Sequence, residues 1–205
     1  VTTAAYQQFV SAADGFARLV AELPAGCWDA PGLGEWDLRA LVGHTSRSLI
    51  TVSTYLGTTA ANEDVRTPAE YYRQVTPEAL GIDPAAVAER GRQAGRDLGD
   101  DPVATVDRLV ERALADAAAA GDPLIEVIGG MGIRLSTYLP TRTFELVVHG
   151  LDIARAAGVP YAPPPDALAA AVDLAAQVAV ASGHGPAVLL ALTGRASLPT
   201  GFSIV

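Results

Sequence analysis

Residues 140–158 read PTRTFELVVHGLDIARAAG, and the organisation of the whole chain follows from them. Phe144, Leu146, Val147, Val148, Leu151 and Ile153 make a helix over this stretch apolar almost all the way round. Such a helix belongs at the centre of a fold rather than on its surface. Pro140 is placed to open it, and Gly158 with Pro160 to stop it, so the spacing predicts a helix from Pro140 to Ala157. Within it Glu145 and His149 stand four apart, on one face, with Cβ atoms roughly 5–6 Å from each other. A carboxylate in so apolar a helix must be paired or bound to a cation, because burying it alone costs several kcal/mol.

Outward from this helix the rest also reads as helical. Phe9, Phe16, Leu19, Val20 and Leu23 recur at helical spacing in an N-terminal helix that Pro24 ends. Asp37 caps a second helix over Leu38 to Leu56. A polar connection follows to about Asp83, with one short helical piece around Glu70 to Val75. Asp83–Pro84 and Asp101–Pro102 each pair a capping Asp with Pro at the first helical position. The first opens a polar surface helix with Arg90, Arg92 and Arg96; the second opens one whose Val103, Val106, Leu109, Val110 and Leu114 pack inward. Clustered glycine at 129, 130 and 132, between β-favouring residues, predicts a small hairpin or irregular loop. Pro163–Pro164–Pro165–Asp166 introduces an alanine-rich helix to about Ala181, Val188 to Leu192 is a short helix or strand, and Leu198 to Val205 is extended. The expected fold is mostly α, an up-and-down four-helix bundle over residues 1–160. Residues 161–205 form a C-terminal helical extension packed on the same domain.

Composition narrows the function. All 14 basic residues are arginine, against 23 acidic ones, giving a formal net charge of −9. No basic footprint exists for nucleic acid or an anionic membrane. The one cysteine, Cys27, cannot form an internal disulfide, and its expected role is that of a small buried hydrophobe. No leader and no apolar run of membrane-spanning length is evident, so a cytoplasmic location is expected.

The chain holds three histidines, at 44, 149 and 184. Glu145 and His149 can offer two ligands to one metal ion, and His44 is the candidate third, from the second helix. Asp152, three residues after His149, could hold the imidazole's other nitrogen. Competing readings are a satisfied core histidine at 44, an accidental helix pair at 145 and 149, and an arginine partner at 152. Two histidines and a carboxylate suit zinc, with nickel, iron and manganese as alternatives that ligand type leaves open, and leave one position open for an exogenous ligand.

Residues 28–49 (WDAPGLGEWDLRALVGHTSRSL) and 142–158 (RTFELVVHGLDIARAAG) resemble the mycothiol-dependent maleylpyruvate isomerase family, within the wider DinB-like group of metal-binding helical bundles. LTGR at 192–195 also looks familial. The resemblance implies that His44, Glu145 and His149 are a metal triad, most simply for Zn²⁺. It further implies that a thiol such as mycothiol is activated there as thiolate to attack an electrophile, in an isomerisation or an S-transfer. A non-catalytic metal- or ligand-binding protein of the same fold is the alternative. The isomerase proper adds a C-terminal domain closing over the site, most of which this chain is expected to lack. Arg142 and Arg134 are candidate anion-binding groups, with solvation at the surface the competing reading for each. Partners are then a small-molecule thiol and an electrophilic substrate, with a homodimer as the assembly to test.

Overall fold

The computed structural model describes residues 3–76, 79–81 and 83–204. Helices α1 (Ala4–Ala21), α2 (Leu38–Tyr55), α3 (Pro68–Gln74), α4 (Pro84–Asp97) and α5 (Pro102–Ala120) come first. A hairpin of β1 (Leu124–Val127) and β2 (Met131–Arg134) follows, then α6 (Leu135–Ala157), α7 (Pro165–Ala181) and α8 (Gly185–Leu192). Side-chain caps at Thr3, Asp37, Thr67, Asp83 and Asp101 start the first five helices. Each accepts a bond from an otherwise orphaned backbone N–H.

Four helices form a bundle: α1 and α2 occupy opposite corners, and each packs on both α5 and α6. Phe9, Phe16, Leu19, Leu41, Leu49, Val106, Leu146 and Ile153 fill the space between them. The mostly helical, DinB-like architecture read from the sequence is what the structure shows, hairpin included. The hairpin pairs Leu124 with Arg134 and Val127 with Met131, and turns through Gly129 and Gly130, whose φ angles of 80° and 72° favour glycine. Helix α4 lies at the surface, as expected, with Gly91, Ala94 and Gly95 buried, and packs on α2.

Two boundaries differ from the sequence reading. Helix α6 begins at Leu135, so Pro140 lies inside it rather than at its start. The cause is Asp122, whose carboxylate accepts from Ser136 N (2.7 Å) and Ser136 Oγ (3.0 Å), while Leu135 N donates to the Pro123 carbonyl (3.0 Å). These partners cap the helix from outside, one turn before the proline, whose missing N–H then removes only an early bond. The stretch from Val188 to Leu192 is helical, and residues 198–204 are irregular rather than extended, with a turn from Phe202 N to the Pro199 carbonyl (3.1 Å). No strand lies beside that end, among the described residues, to pair with it. Val205, the last residue of the expected extended end, lies outside the described residues.

Helix α7 packs on α1, α3 and α6. Tyr161, just before it, occupies notches left by Gly15 and Gly150: a Cβ on Gly150 would lie 3.0 Å from the Tyr161 ring. Ser11 Oγ donates to Asp166 at 2.7 Å, tying α1 to the start of α7. Among the described residues no helix is long and apolar enough to cross a membrane.

Candidate metal centre

His44 is placed by the crossing of α2 and α4. A Cβ on Gly43 would collide with the backbone of Ala94 and Gly95, so the two helices approach to backbone contact beside the histidine. Trp36 fills the gap on the other side. Its Nε1 donates to the Ala88 carbonyl of α4 (2.9 Å), its ring crowds Gly91, and its centroid lies 4.5 Å from that of His44. The imidazole is thus fixed by packing, and no hydrogen bond engages its nitrogens among the described residues.

Glu145, His149 and Asp152 project from α6. His149 Nε2 lies 3.3 Å from Glu145 Oε2, and Nδ1 lies 3.1 Å from Asp152 Oδ2. The other carboxylate oxygen, Glu145 Oε1, accepts from the Tyr72 hydroxyl at 2.7 Å. Tyr72 comes from α3, whose short length is held by a reciprocal capping box between Thr67 and Glu70. His44 and His149 meet edge to face, with centroids 5.1 Å apart. One ligand atom each from His44, Glu145 and His149 lies within 4.8 Å of the others. Tetrahedral ligands at zinc distances sit about 3.4 Å apart, so side-chain adjustments on the order of 1 Å would gather these three around an ion.

Their electrostatics differ sharply. Burial, reinforced by the charge of His149, pushes the His44 pKa down to about 4 and keeps that ring neutral. Burial also works against charge on His149, but hydrogen bonds with Asp152 and then Glu145 outweigh it and raise its pKa to about 9. For Glu145 burial favours the neutral acid; the His149 hydrogen bond and the Arg142 charge overcome it and hold the pKa at about 2. One imidazolium therefore bridges two carboxylates, next to a neutral imidazole with free nitrogens. That donor set is chemically suited to a divalent ion: two nitrogens and one carboxylate oxygen, with Asp152 fixing the remote nitrogen of His149.

A two-lobed cleft opens beside the three residues. His44, Arg47, Val75 and Ile128 line both lobes. One lobe, about 210 Å³, is walled by Tyr55, Tyr71, Tyr72, Tyr138, Arg142 and Glu145. The other, about 220 Å³, is more apolar, with Leu80 and Val87, and carries Arg90. Arg142 is half-buried in the cleft wall: its guanidinium lies 4.8 Å from the Tyr138 ring centroid and 5.4 Å from that of Tyr71. Arg134 lies away from the cleft, donating to the Asp122 carbonyl (3.2 Å) and standing 4.0 Å from Glu63. Cys27 is half-buried in the loop before α2, does not line the cleft, and has its thiol pKa raised by burial.

Sequence reasoning missed Tyr72, Trp36 and Arg47. Trp36 stands one residue before the Asp37 cap, where a ring must pack somewhere near the helix start. Tyr72 gave no signal, because its contact with Glu145 spans 73 residues.

No curated protein and no solved structure matches the chain. A family model does, described as the mycothiol maleylpyruvate isomerase N-terminal domain, and its match covers residues 9–154. That span runs from within α1 to within α6 and contains His44, Glu145, His149 and Asp152. With well over half of its length matched, the chain belongs to the mycothiol maleylpyruvate isomerase N-terminal domain family.

Proposed function

We propose that this chain is a divalent-metal-dependent enzyme that uses a low-molecular-weight thiol, mycothiol or a close relative, against an electrophilic substrate, by isomerisation or S-transfer. The observation that carries the reading is the convergence of His44, Glu145 and His149 to within 4.8 Å, with His44 and Glu145 lining the adjoining cleft. The ion best suited to that set is zinc, which would bind a thiol sulfur and lower its pKa so that thiolate forms at neutral pH. The chain's own residues prepare for this. Trp36 orients His44, which burial keeps unprotonated. Asp152 holds His149 Nδ1 and so turns Nε2 toward Glu145. Tyr72 occupies one oxygen of Glu145 and leaves the other facing the histidines. Three protein ligands leave a position for the thiol, and the two lobes offer separate space for thiol and electrophile. A cytoplasmic setting, where Cys27 and a thiol co-substrate stay reduced, goes with this reading.

Metal analysis of the purified chain should give about one divalent ion per chain, lost in His44→Ala and His149→Ala. In cobalt-substituted protein, mycothiol should produce an intense thiolate charge-transfer band, and turnover of electrophiles should require the thiol. Full metal content in both variants refutes the triad. A metal-loaded protein that shows no band with mycothiol or simpler thiols refutes thiol activation and leaves a ligand-binding protein of this fold.

A further inference from the structure

Helix α8 reads GPAVLLAL, apolar on every side, yet none of its residues is buried. A helix that is apolar all round belongs inside a structure, and one so short is not held in water by propensity alone. It packs on α7, whose outer face has the same character. Leu168, Val172, Ala176 and Val180, each four residues after the last, form an exposed ridge along α7. The three larger of these, with Leu189, Leu190 and Leu192 of α8, are six of the ten large apolar side chains exposed among the described residues. Val180 is 69% and Leu192 75% exposed. Monomeric proteins seldom leave so much apolar surface in one place. No residue of α7 or α8 lines either lobe of the cleft, so covering this face leaves the candidate metal centre open.

Charge indicates what covers it. Within residues 167–205 the only charged side chains are Asp173 and Arg195, one of each sign, so residues 1–166 carry the entire net charge of −9. Two copies of so acidic a chain repel each other over the rest of their surfaces and can meet here without that cost. A helix that docks on a membrane flanks its apolar face with several cations, whereas this face has Arg195 alone. The α7 ridge is also complementary to itself. Ridges of i±4 spacing from two helices interdigitate at a crossing of about −50°, and a second copy presents the identical ridge across a two-fold axis.

We propose that the α7–α8 face is a two-fold contact between two copies of this chain, with the α7 ridges interdigitated and the α8 leucines buried against the other copy. The contact does not depend on the function proposed above.

The test is analytical sedimentation of the full chain from micromolar to submillimolar concentration, for the parent, Val172→Glu and Leu189→Glu. The parent should form a dimer. Each variant should weaken it by about tenfold or more, because two like charges are then brought together across the axis. Both side chains are exposed, so circular dichroism should be unchanged, and variants on two helices keep the test decisive if one misfolds. Leu33→Glu, at an exposed apolar residue outside this face, should dimerise as the parent does. Added salt should strengthen the dimer by screening the charge on each copy. A parent that stays monomeric throughout, a dimer that survives both variants, an open-ended oligomer, or a dimer that salt dissociates overturns the proposal. Binding of the parent to uncharged phosphatidylcholine vesicles in place of self-association, lost in the same two variants, also overturns it and assigns the face to a membrane.

Discussion

A metal ion entering this site must first expel a proton, and its number can be counted. His149 is held at a pKa of about 9 by Asp152 and Glu145, while His44 is depressed to about 4 and Glu145 to about 2. Between pH 5.5 and 7, therefore, His149 alone carries a proton that the ion has to displace. Zinc binding should release about one proton per ion, constant across that window, and log K should rise by about one per pH unit. At pH 7 only about one His149 in a hundred is neutral, so affinity there should lie roughly 100-fold below its ceiling, equivalent to about 2.7 kcal/mol. Two ordinary histidines with pKa near 6.5 would behave differently, releasing about 1.8 protons at pH 5.5 and about 0.5 at pH 7. Calorimetry in buffers of different ionisation enthalpy distinguishes the flat profile from the falling one. Water on the ion ionises near pH 7 and above, which makes the lower window decisive. Asp152→Asn is the internal control. It removes the carboxylate on Nδ1, so proton release at pH 7 should drop below one, while affinity at pH 9 weakens by about 10–100-fold. A release that falls from near two to near one half in the parent protein refutes the bridged-imidazolium account.

Three further outcomes are expected. Tyr72→Phe keeps the ring packed on Phe144 but loses the bond to Glu145 Oε1, and should weaken metal affinity by about 10–100-fold in a competition assay with the fold intact by circular dichroism. Gly43→Val forces a branched side chain into the α2–α4 backbone contact and should destabilise by about 1–3 kcal/mol, read as a lower urea midpoint at unchanged slope. The metal-free chain should be most stable near pH 6.5. Below that, stability contributed by neutral His44 is lost down to about pH 4 and that of Glu145 from about 4.5 to 2; above it, the contribution of protonated His149 is lost up to about pH 9. Thermal unfolding across pH 4–9.5 in chelator should trace that dome, and a stability that keeps rising from pH 6.5 to 9 contradicts it.

The bundle was legible because its helices carry their own signals. The caps at Asp37, Asp83 and Asp101 are local, and the nearly all-round apolar character of residues 144–153 placed α6 centrally without tertiary information. Glu145, His149 and Asp152 were found together because they share a helix, where spacing alone dictates proximity. His44 came by elimination among three histidines, and the structure puts its ring 5.1 Å from that of His149. What escaped depends on distant chain. The start of α6 is set by Asp122, outside the helix, so Pro140 looked like the first residue. The partial burial of Arg142 is produced by Tyr71, from the α2–α5 connection, and by Tyr138, which the misplaced helix start left outside α6. No periodicity could show that an arginine next to Glu145 in space would lie against tyrosine rings in the wall of a cleft.

The same residues show why a carboxylate can sit in so apolar a helix. Sequence reasoning required a cation for Glu145, and without an ion that cation is His149 itself, doubly held by Glu145 and Asp152. Arg142 adds its field but no ion pair, since its guanidinium is committed to the tyrosine faces. The Glu145 charge is therefore balanced from within by a proton on one imidazole, while the second imidazole stays neutral, its nitrogens unengaged among the described residues. An ion would exchange with that proton rather than enter a vacant set of charges. Affinity would then depend on pH through His149 and not through His44, although both offer a nitrogen to the same point. This asymmetry follows from placement. His149 stands one helical turn from two carboxylates on its own helix, whereas His44 faces Trp36 on one side and an edge of His149 on the other.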